Sequence, residues 1–377
     1  MILKMLENYD VKSFQPTSPE FIHLYSEISA LTYSDRNFFL ADPDYVNIPI
    51  DGLLSEKYLR DRVKTVNETS SIRNPKPGKP EGAKKYSENI DISRDSTSHL
   101  VIVDLYGNAI SMTSTIEGPF GSHLMTGGFM LNNELTDFSF LPHYDGAPTA
   151  NRVEAGKRPL SSMSPTIIFD KDNKIHSLTG SPGGTSIIGY VAKSILGLLD
   201  WGMTPQESVD IPHYMRKKDV TELEKGTELE RHQKFLEAIG HKVSIKRKRS
   251  GLHAAKKVEE GYIGGADSRR EGLVIPINWI CIMNQNFYRI LNDNFNKYSD
   301  NIFIEEESGE KWKYIDIKKL TSQFSTFLKD LGLKKGSRII VQAEKSVHSV
   351  ALYLSCLKTG IIYIPLNTAY TSNEMSY

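Results

Sequence analysis

Cysteine is nearly missing from this chain of 377 residues: Cys281 and Cys356 are its whole complement. Two thiols cannot build the disulfide framework of a small secreted scaffold, and their spacing does not fit a structural zinc site. Net charge is missing too, because 46 basic residues balance 46 acidic ones. No global field therefore argues for nucleic acid or a membrane surface as partner. No apolar run approaches the length of a membrane span. The opening Met1–Asp10 reads as a short amphipathic helix, without a signal peptide's continuous apolar stretch or small-residue cleavage site. Read as written, the chain is expected in the cytoplasm. Its one basic run, Lys246–Arg249, reads as a solvated hairpin.

The length allows two or three domains, and three textures follow one another. From Pro19 to Leu40, Phe21, Leu24, Tyr25, Ile28, Leu31 and Phe38 recur at helical spacing and predict one buried stripe. Asp42-Pro43-Asp44 stops that helix, and another is expected over Leu53–Val63. Asn74–Gly82 carries three prolines and two glycines, too many breakers for a helix or inner strand. It reads as an exposed linker running on to Asp95. Beyond it, Leu100–Val103, a turn at Tyr106-Gly107-Asn108 and Ala109–Ile116 predict a β-hairpin. Thr166–Phe169, the turn 170–173 and Ile175–Thr179 predict a second hairpin. A buried helix over Ile187–Trp201, a mostly helical 205–240, and late strands at Lys242–Ile245 and Gly261–Gly264 complete this segment. From Met283 onward, helices at Phe287–Tyr298, Lys318–Leu331 and Val347–Lys358 alternate with apolar strands at Ser337–Val341 and Ile361–Ile364. That alternation is the pattern of an α/β domain with a parallel sheet.

Four short segments carry chemistry. Thr97 follows the linker and heads the first hairpin. A threonine hydroxyl needs a base, and a chain cut just before Thr97 would supply one as its own α-amine, whose ordinary pKa lies near 8; a threonine at a strand start is also commonly structural. Thr179–Thr185 joins a strand to a helix, and its Gly183-Gly184 pair can aim backbone N–H groups at a ligand, as an oxyanion hole requires. An ordinary strand-to-helix turn would read the same way. Ser161 and Ser162, between Pro159 and Pro165, can bind a carboxylate or simply shape a loop. Glu134 and Asp137 can hold an ammonium or form a polar turn.

Taken in order, these segments resemble the gamma-glutamyltranspeptidase family. The matching text is Thr97–Leu100, Gly107-Asn108-Ala109, Phe120-Gly121, Leu131–Ser139, Arg158–Thr166, Thr179–Gly184 and Gly264–Arg270, with Ala41–Tyr45 and Gly52–Ser55 resembling the end of the large subunit. The resemblance covers residues 1 to about 275. It implies an α+β fold, the αββα four-layer sandwich of N-terminal-nucleophile (Ntn) hydrolases, here N-terminally incomplete. Residues 1–96, with the linker at 74–96, would be the end of the large subunit, and 97–276 the small catalytic subunit. It further implies self-cleavage between Ser96 and Thr97, then attack by Thr97 on glutathione or another γ-glutamyl compound, with water or an amino acid as acceptor. The two pieces would stay associated after the cut, with no cofactor, metal, nucleic acid or membrane. Thr115 would support the nucleophile, and Gly183 and Gly184 would form the oxyanion hole. Glu134 and Asp137 would bind the donor's α-ammonium, and Ser161 and Ser162 its α-carboxylate.

Departures accompany the match. Glu117 stands where many members have a donor-contacting asparagine, which admits a related acylase acting on a glutaryl-type donor as the alternative. The stretch 139–158 is short for a lid, which favours hydrolysis over transfer. The family's carboxylate-binding arginine belongs to a part of the large subunit without counterpart here, so an inactive fragment is a further alternative. Residues 284–377 resemble the start of an AMP-forming acyl-CoA synthetase, through Trp312-Lys313-Tyr314, Leu333–Arg338, Leu354–Gly360 and Tyr363–Asn367. No phosphate loop ending in lysine precedes Tyr377, so this fragment of an α/β domain is not expected to adenylate. Residues 277–283 read as the junction of a fused reading frame.

Overall fold

Ser18 starts the longest helix of the N-terminal segment by accepting a hydrogen bond from the Phe21 N–H, and Pro19 occupies the first turn, where a missing N–H costs nothing. In the computed structural model, which describes residues 1–89, 97–144, 146–275, 287–306, 308–344, 346–366 and 368, two units separate between Val274 and Ile275. Helix α1 (Ile2–Leu6) precedes α2 (Pro19–Phe39), which ends ahead of the Asp42-Pro43-Asp44 turn as expected. Phe21, Leu24, Tyr25, Ile28 and Leu31 are in the core, but Phe39 rather than Phe38 joins them. His23, Glu27, Asp35 and Arg36 are buried as well. The helix is therefore enclosed on several faces rather than along one stripe. Its charged residues survive burial because each has a partner: Glu27 meets Arg216, and Asp35 meets Tyr58 and Arg62. The single helix expected over Leu53–Val63 is two, α3 (Ile50–Leu54) and α4 (Glu56–Val63). Ser55 breaks them apart by capping α4.

Strand β1 (Thr97–Val103) pairs antiparallel with β2 (Ala109–Thr115), matching Thr97 to Thr115 and Val103 to Ala109. Two short ladders follow, β3 (Met125–Thr126) with β4 (Phe129–Met130) and β5 (His143–Tyr144) with β6 (Ala147–Pro148). The second predicted hairpin is β7 (Thr166–Phe169) with β8 (Ile175–Gly180), leading into α5 (Ile187–Leu199) and α6 (Pro205–Asp210). The stretch 205–240 is not mostly helical. It contains β9 (Tyr214–Arg216), β10 (Val220–Glu224) and only one further short α-helix, α7 (Gln233–Ala238), among the described residues. Strand β11 (Lys242–Lys246) runs parallel to β10. The basic run is not a freely solvated hairpin either: Lys246 and Lys248 both close on Glu222, and the Lys248 side chain is buried. Burial alone would raise the Glu222 carboxyl, yet the two lysines hold it down at about 2.

Strands β12 (His253–Val258) and β13 (Gly261–Ala266) complete a sheet in the order β13-β12-β8-β7. Its two faces are read from glycines. A side chain at Gly265 would strike Pro205 at the start of α6, whereas one at Gly180 would strike the His99 ring on β1. Helices thus cover one face and the β1–β2 hairpin the other, a helix–sheet–sheet stack. The inward face of the hairpin is polar at its cleft end, with Thr97, His99, Thr113 and Thr115, and carries Val101, Val103 and Ala109 further along. Outward, Leu100, Ile102, Ile110 and Met112 remain 36% to 51% exposed, and no helix among the described residues covers them.

The second unit holds α8 (Phe287–Lys297), β14 (Ile302–Glu305), β15 (Lys311–Lys313), α9 (Tyr314–Asp330), β16 (Arg338–Gln342), α10 (Val347–Thr359) and β17 (Ile362–Leu366). The two last strands pair in parallel, as the helix–strand alternation implies. The expected junction at 277–283 lies outside the described residues. No helix among the described residues is long and apolar enough to cross a membrane.

Candidate active site

The register of the first hairpin decides what Thr97 can reach. Because Thr97 faces Thr115 across the ladder, their hydroxyls meet at 3.2 Å, with Thr97 donating. Thr115 Oγ1 also accepts from the Glu117 N–H at 2.9 Å, which orients it towards Thr97. The Thr97 carbonyl is held separately, by Arg270 Nη1 at 2.9 Å. Ser96, and with it the expected scissile bond, lies outside the described residues.

Across from this hydroxyl pair runs the loop that leaves β8. Gly183 has φ +133°, and a Cβ there would lie 2.7 Å from the Tyr190 ring, so only glycine fits. Gly184 lines the cleft together with Thr97 and Thr115. The loop is clamped from outside: the Tyr33 hydroxyl donates to the Thr185 carbonyl, and Lys217 Nζ donates to the hydroxyls of Thr185 (3.0 Å) and Ser186 (3.2 Å). A clamped glycine backbone lining the same cleft as a hydroxyl is an element that can offer N–H groups to a developing oxyanion.

Acidic and basic side chains share the lining of the cleft. Glu117 and Asp137 supply its carboxylates. Glu117 is buried at φ +69°, unusual for a residue with a side chain. Its Oε2 accepts from Asn133 Nδ2, while its Oε1 has no partner. Glu134 is not part of the cleft lining; it hydrogen-bonds Asp137. Burial raises its pKa, the bond to Asp137 opposes this, and the nearby Glu117 charge raises it further. In the same lining Ser162 Oγ accepts from Arg36 Nη2 at 2.6 Å, and Arg36 is itself steadied by Asn37 at 2.9 Å. Ser161 also lines the cleft, although its Oγ accepts from the Met163 N–H of its own loop. Arg158 pins this serine segment by forking onto Asp42, whose carboxyl it holds well below the usual range.

The structure therefore brings together Thr97, Thr115, Glu117, Asp137, Ser161, Ser162 and Gly184, with Gly183 beside them and Glu134 one bond removed. Arg36, Lys217 and Arg270 escape the sequence reading. Arg36 sits within Asp35-Arg36-Asn37 at the end of α2, where a buried guanidinium leaves no periodic signal. Among the described residues, one cluster outside the cleft has metal-ligand chemistry: His23, Glu27 and His241, all buried. Protein groups already engage it. His23 Nδ1 and His241 Nε2 share a bond at 2.7 Å, Asn67 and Thr221 take the outer ring nitrogens, and Arg216 takes Glu27.

The family model described as Gamma-glutamyltranspeptidase matches residues 1–277. The chain belongs to the gamma-glutamyltranspeptidase family. Among its relatives, the glutathione hydrolase proenzyme of Bacillus subtilis (strain 168) is 36% identical over 74% of this chain and 48% of the relative. That of Escherichia coli (strain K12) is 34% identical over 71% of this chain and 46% of the relative. The chain thus spans about half the length of the curated relatives it matches. The solved cephalosporin acylase of Bacillus halodurans, 21% identical, superposes with a TM-score of 0.59 over 73% of this chain and 49% of that one, which shows the Ntn-hydrolase fold. Residues 291–377 match a second family model, AMP-binding enzyme.

Proposed function

We propose that the chain is a γ-glutamyl hydrolase or transferase that works through Thr97 after a cut at Ser96–Thr97. The observation that carries this is the Thr97–Thr115 hydroxyl pair, in a cleft that Glu117, Asp137, Arg36 and Ser162 also line. A γ-glutamyl donor presents an α-ammonium and an α-carboxylate of its own, so its head group complements the carboxylates and the Arg36–Ser162 pair of this lining. Thr97 Oγ1 then adds to the γ-carbonyl and passes its proton to the freed α-amine. The negative charge on the former carbonyl oxygen falls to the Gly183 and Gly184 N–H groups. As the C–N bond breaks, the proton goes to the departing amine, leaving an ester on Thr97. Water, or the amine of an amino acid, attacks that ester and restores the hydroxyl.

The names of the relatives favour glutathione as one donor. The glutaryl-type alternative fits this lining less well. A glutaryl chain brings no ammonium to offset the buried Glu117, and desolvating an uncompensated carboxylate is costly. Contacts such as Tyr25 Oη to the Gly189 carbonyl (2.7 Å) and Arg216 to Glu27 (2.6 Å) would keep the two pieces together after the cut. The test is Thr97→Ala: both self-cleavage and release of anilide from a γ-glutamyl anilide should stop, and cleavage that persists in the variant would refute the assignment.

A further inference from the structure

Arg270 makes a contact that substrate binding does not require. Its Nη1 donates to the carbonyl of Thr97 at 2.9 Å, and its Nε donates to the Arg249 carbonyl at 3.0 Å. Its stem crosses Gly251 beside Pro182: a Cβ on Gly251 would lie 3.0 Å from Arg270 Cδ and 2.8 Å from Pro182 Cγ. One half-buried side chain thus joins the backbone of the nucleophile to the segment around Arg249, whose Gly251 passes beside Pro182. Thr97 is the first residue of its strand, and its carbonyl is held by a cation.

That cation bears on a difficulty built into the site. Glu117 and Asp137 line the cleft that Thr97 lines, and Glu134 is tied to Asp137. These carboxylates suit an ammonium substrate, but they would equally favour the protonated form of an amine on Thr97, and a protonated amine cannot serve as base. The opposing cations are Arg36, which also lines the cleft and is bonded to Ser162, and Arg270, one residue's backbone away from the amine position. Lys217 faces the Thr185 and Ser186 hydroxyls instead.

We infer that Arg270 is a positioning residue for the nucleophile: it fixes the Thr97 carbonyl, and so the hydroxyl and amine on the same residue, and its charge keeps that amine unprotonated amid the carboxylates. This rests on the γ-glutamyl reading above. The test uses the full chain with Arg270→Gln and Arg270→Lys. Each variant is checked for folding by thermal melting and for self-cleavage on a gel, and the pH profile of kcat/KM is measured on a γ-glutamyl anilide. Arg270→Gln should move the acid limb up by about half a unit or more while the alkaline-side KM stays within about twofold. Arg270→Lys keeps the charge without the fork, so its limb should stay near wild type while kcat falls. If Arg270→Gln folds but no longer cuts itself and Arg270→Lys does, positioning of Thr97 is likewise supported. An unmoved limb in Arg270→Gln, equal movement in both variants, or loss of cutting in both folded variants overturns the role of Arg270. A folded wild-type chain that neither cuts nor turns over overturns the γ-glutamyl reading itself.

Discussion

Replacing Glu27 with alanine should be among the most damaging single changes in the first unit, although Glu27 lies outside the cleft. The residue is fully buried on α2, and its Oε1 takes Arg216 Nη1 at 2.6 Å, with the Arg216 side chain only 4% exposed. Its Oε2 accepts from the Ile72 N–H at 2.6 Å. Truncation leaves a guanidinium N–H and a backbone N–H facing a small cavity. Arg216 keeps only its bonds to the Lys218 and Ile72 carbonyls. Breaking a buried pair from one side costs about 3–5 kcal/mol. In a unit of this size each kcal/mol lowers the melting temperature by roughly 2–4 °C, so a fall of about 6–20 °C is expected for the first unit by calorimetry. Glu27→Leu combined with Arg216→Met should recover part of the loss, because no buried charge is then left alone. A fall of less than about 2 °C for Glu27→Ala would mean that the pair is solvated, and the argument would fail.

Further expectations follow from the same geometry. Gly183→Ala must place a methyl against Tyr190 at φ +133°; turnover on a γ-glutamyl anilide should drop about 100-fold or more, and near-full activity would contradict the oxyanion assignment. Glu117→Gln removes one carboxylate from the cleft lining, and KM for a γ-glutamyl donor should rise about tenfold or more, with little change for a glutaryl donor. Acid should loosen the fold: burial, helped by His253, lowers His99 to about 4, and burial, with His23 and Arg216, lowers His241 to about 3. Because both fall below the ordinary 6.5, the unfolded chain binds more protons, so stability is complete above pH ~6.5 and declines towards pH ~3. Urea midpoints that stay level between pH 7 and pH 4 would contradict this.

The parts of the fold that were legible in the sequence are those whose cause is local. Ser18-Pro19 and Asp42-Pro43 bracket α2, the apolar alternation after Thr97 gives the hairpin, and Gly183-Gly184 marks the turn into α5. Strands β9 and β10 were hidden because Arg216 and Glu224 are buried as partners of Glu27 and Arg269; a charged residue inside a strand breaks the apolar pattern that reveals strands. The same holds for the site. Arg36 reaches Ser162 across 126 residues, and Arg270 reaches Thr97 across 173. No spacing rule connects such positions, since only the folded chain brings them together. Glu117 was legible as a departure from an asparagine, but its burial and its unpartnered oxygen depend on how Asn133 packs against it.

Catalysis by Thr97 requires that it become a chain terminus. Mass spectrometry of the purified full-length product, after incubation long enough for self-processing, measures this directly. The expected result is a C-terminal polypeptide whose first residue is Thr97, paired with a piece ending at Ser96. A chain that stays whole, or one whose new terminus lies at any other residue, contradicts it.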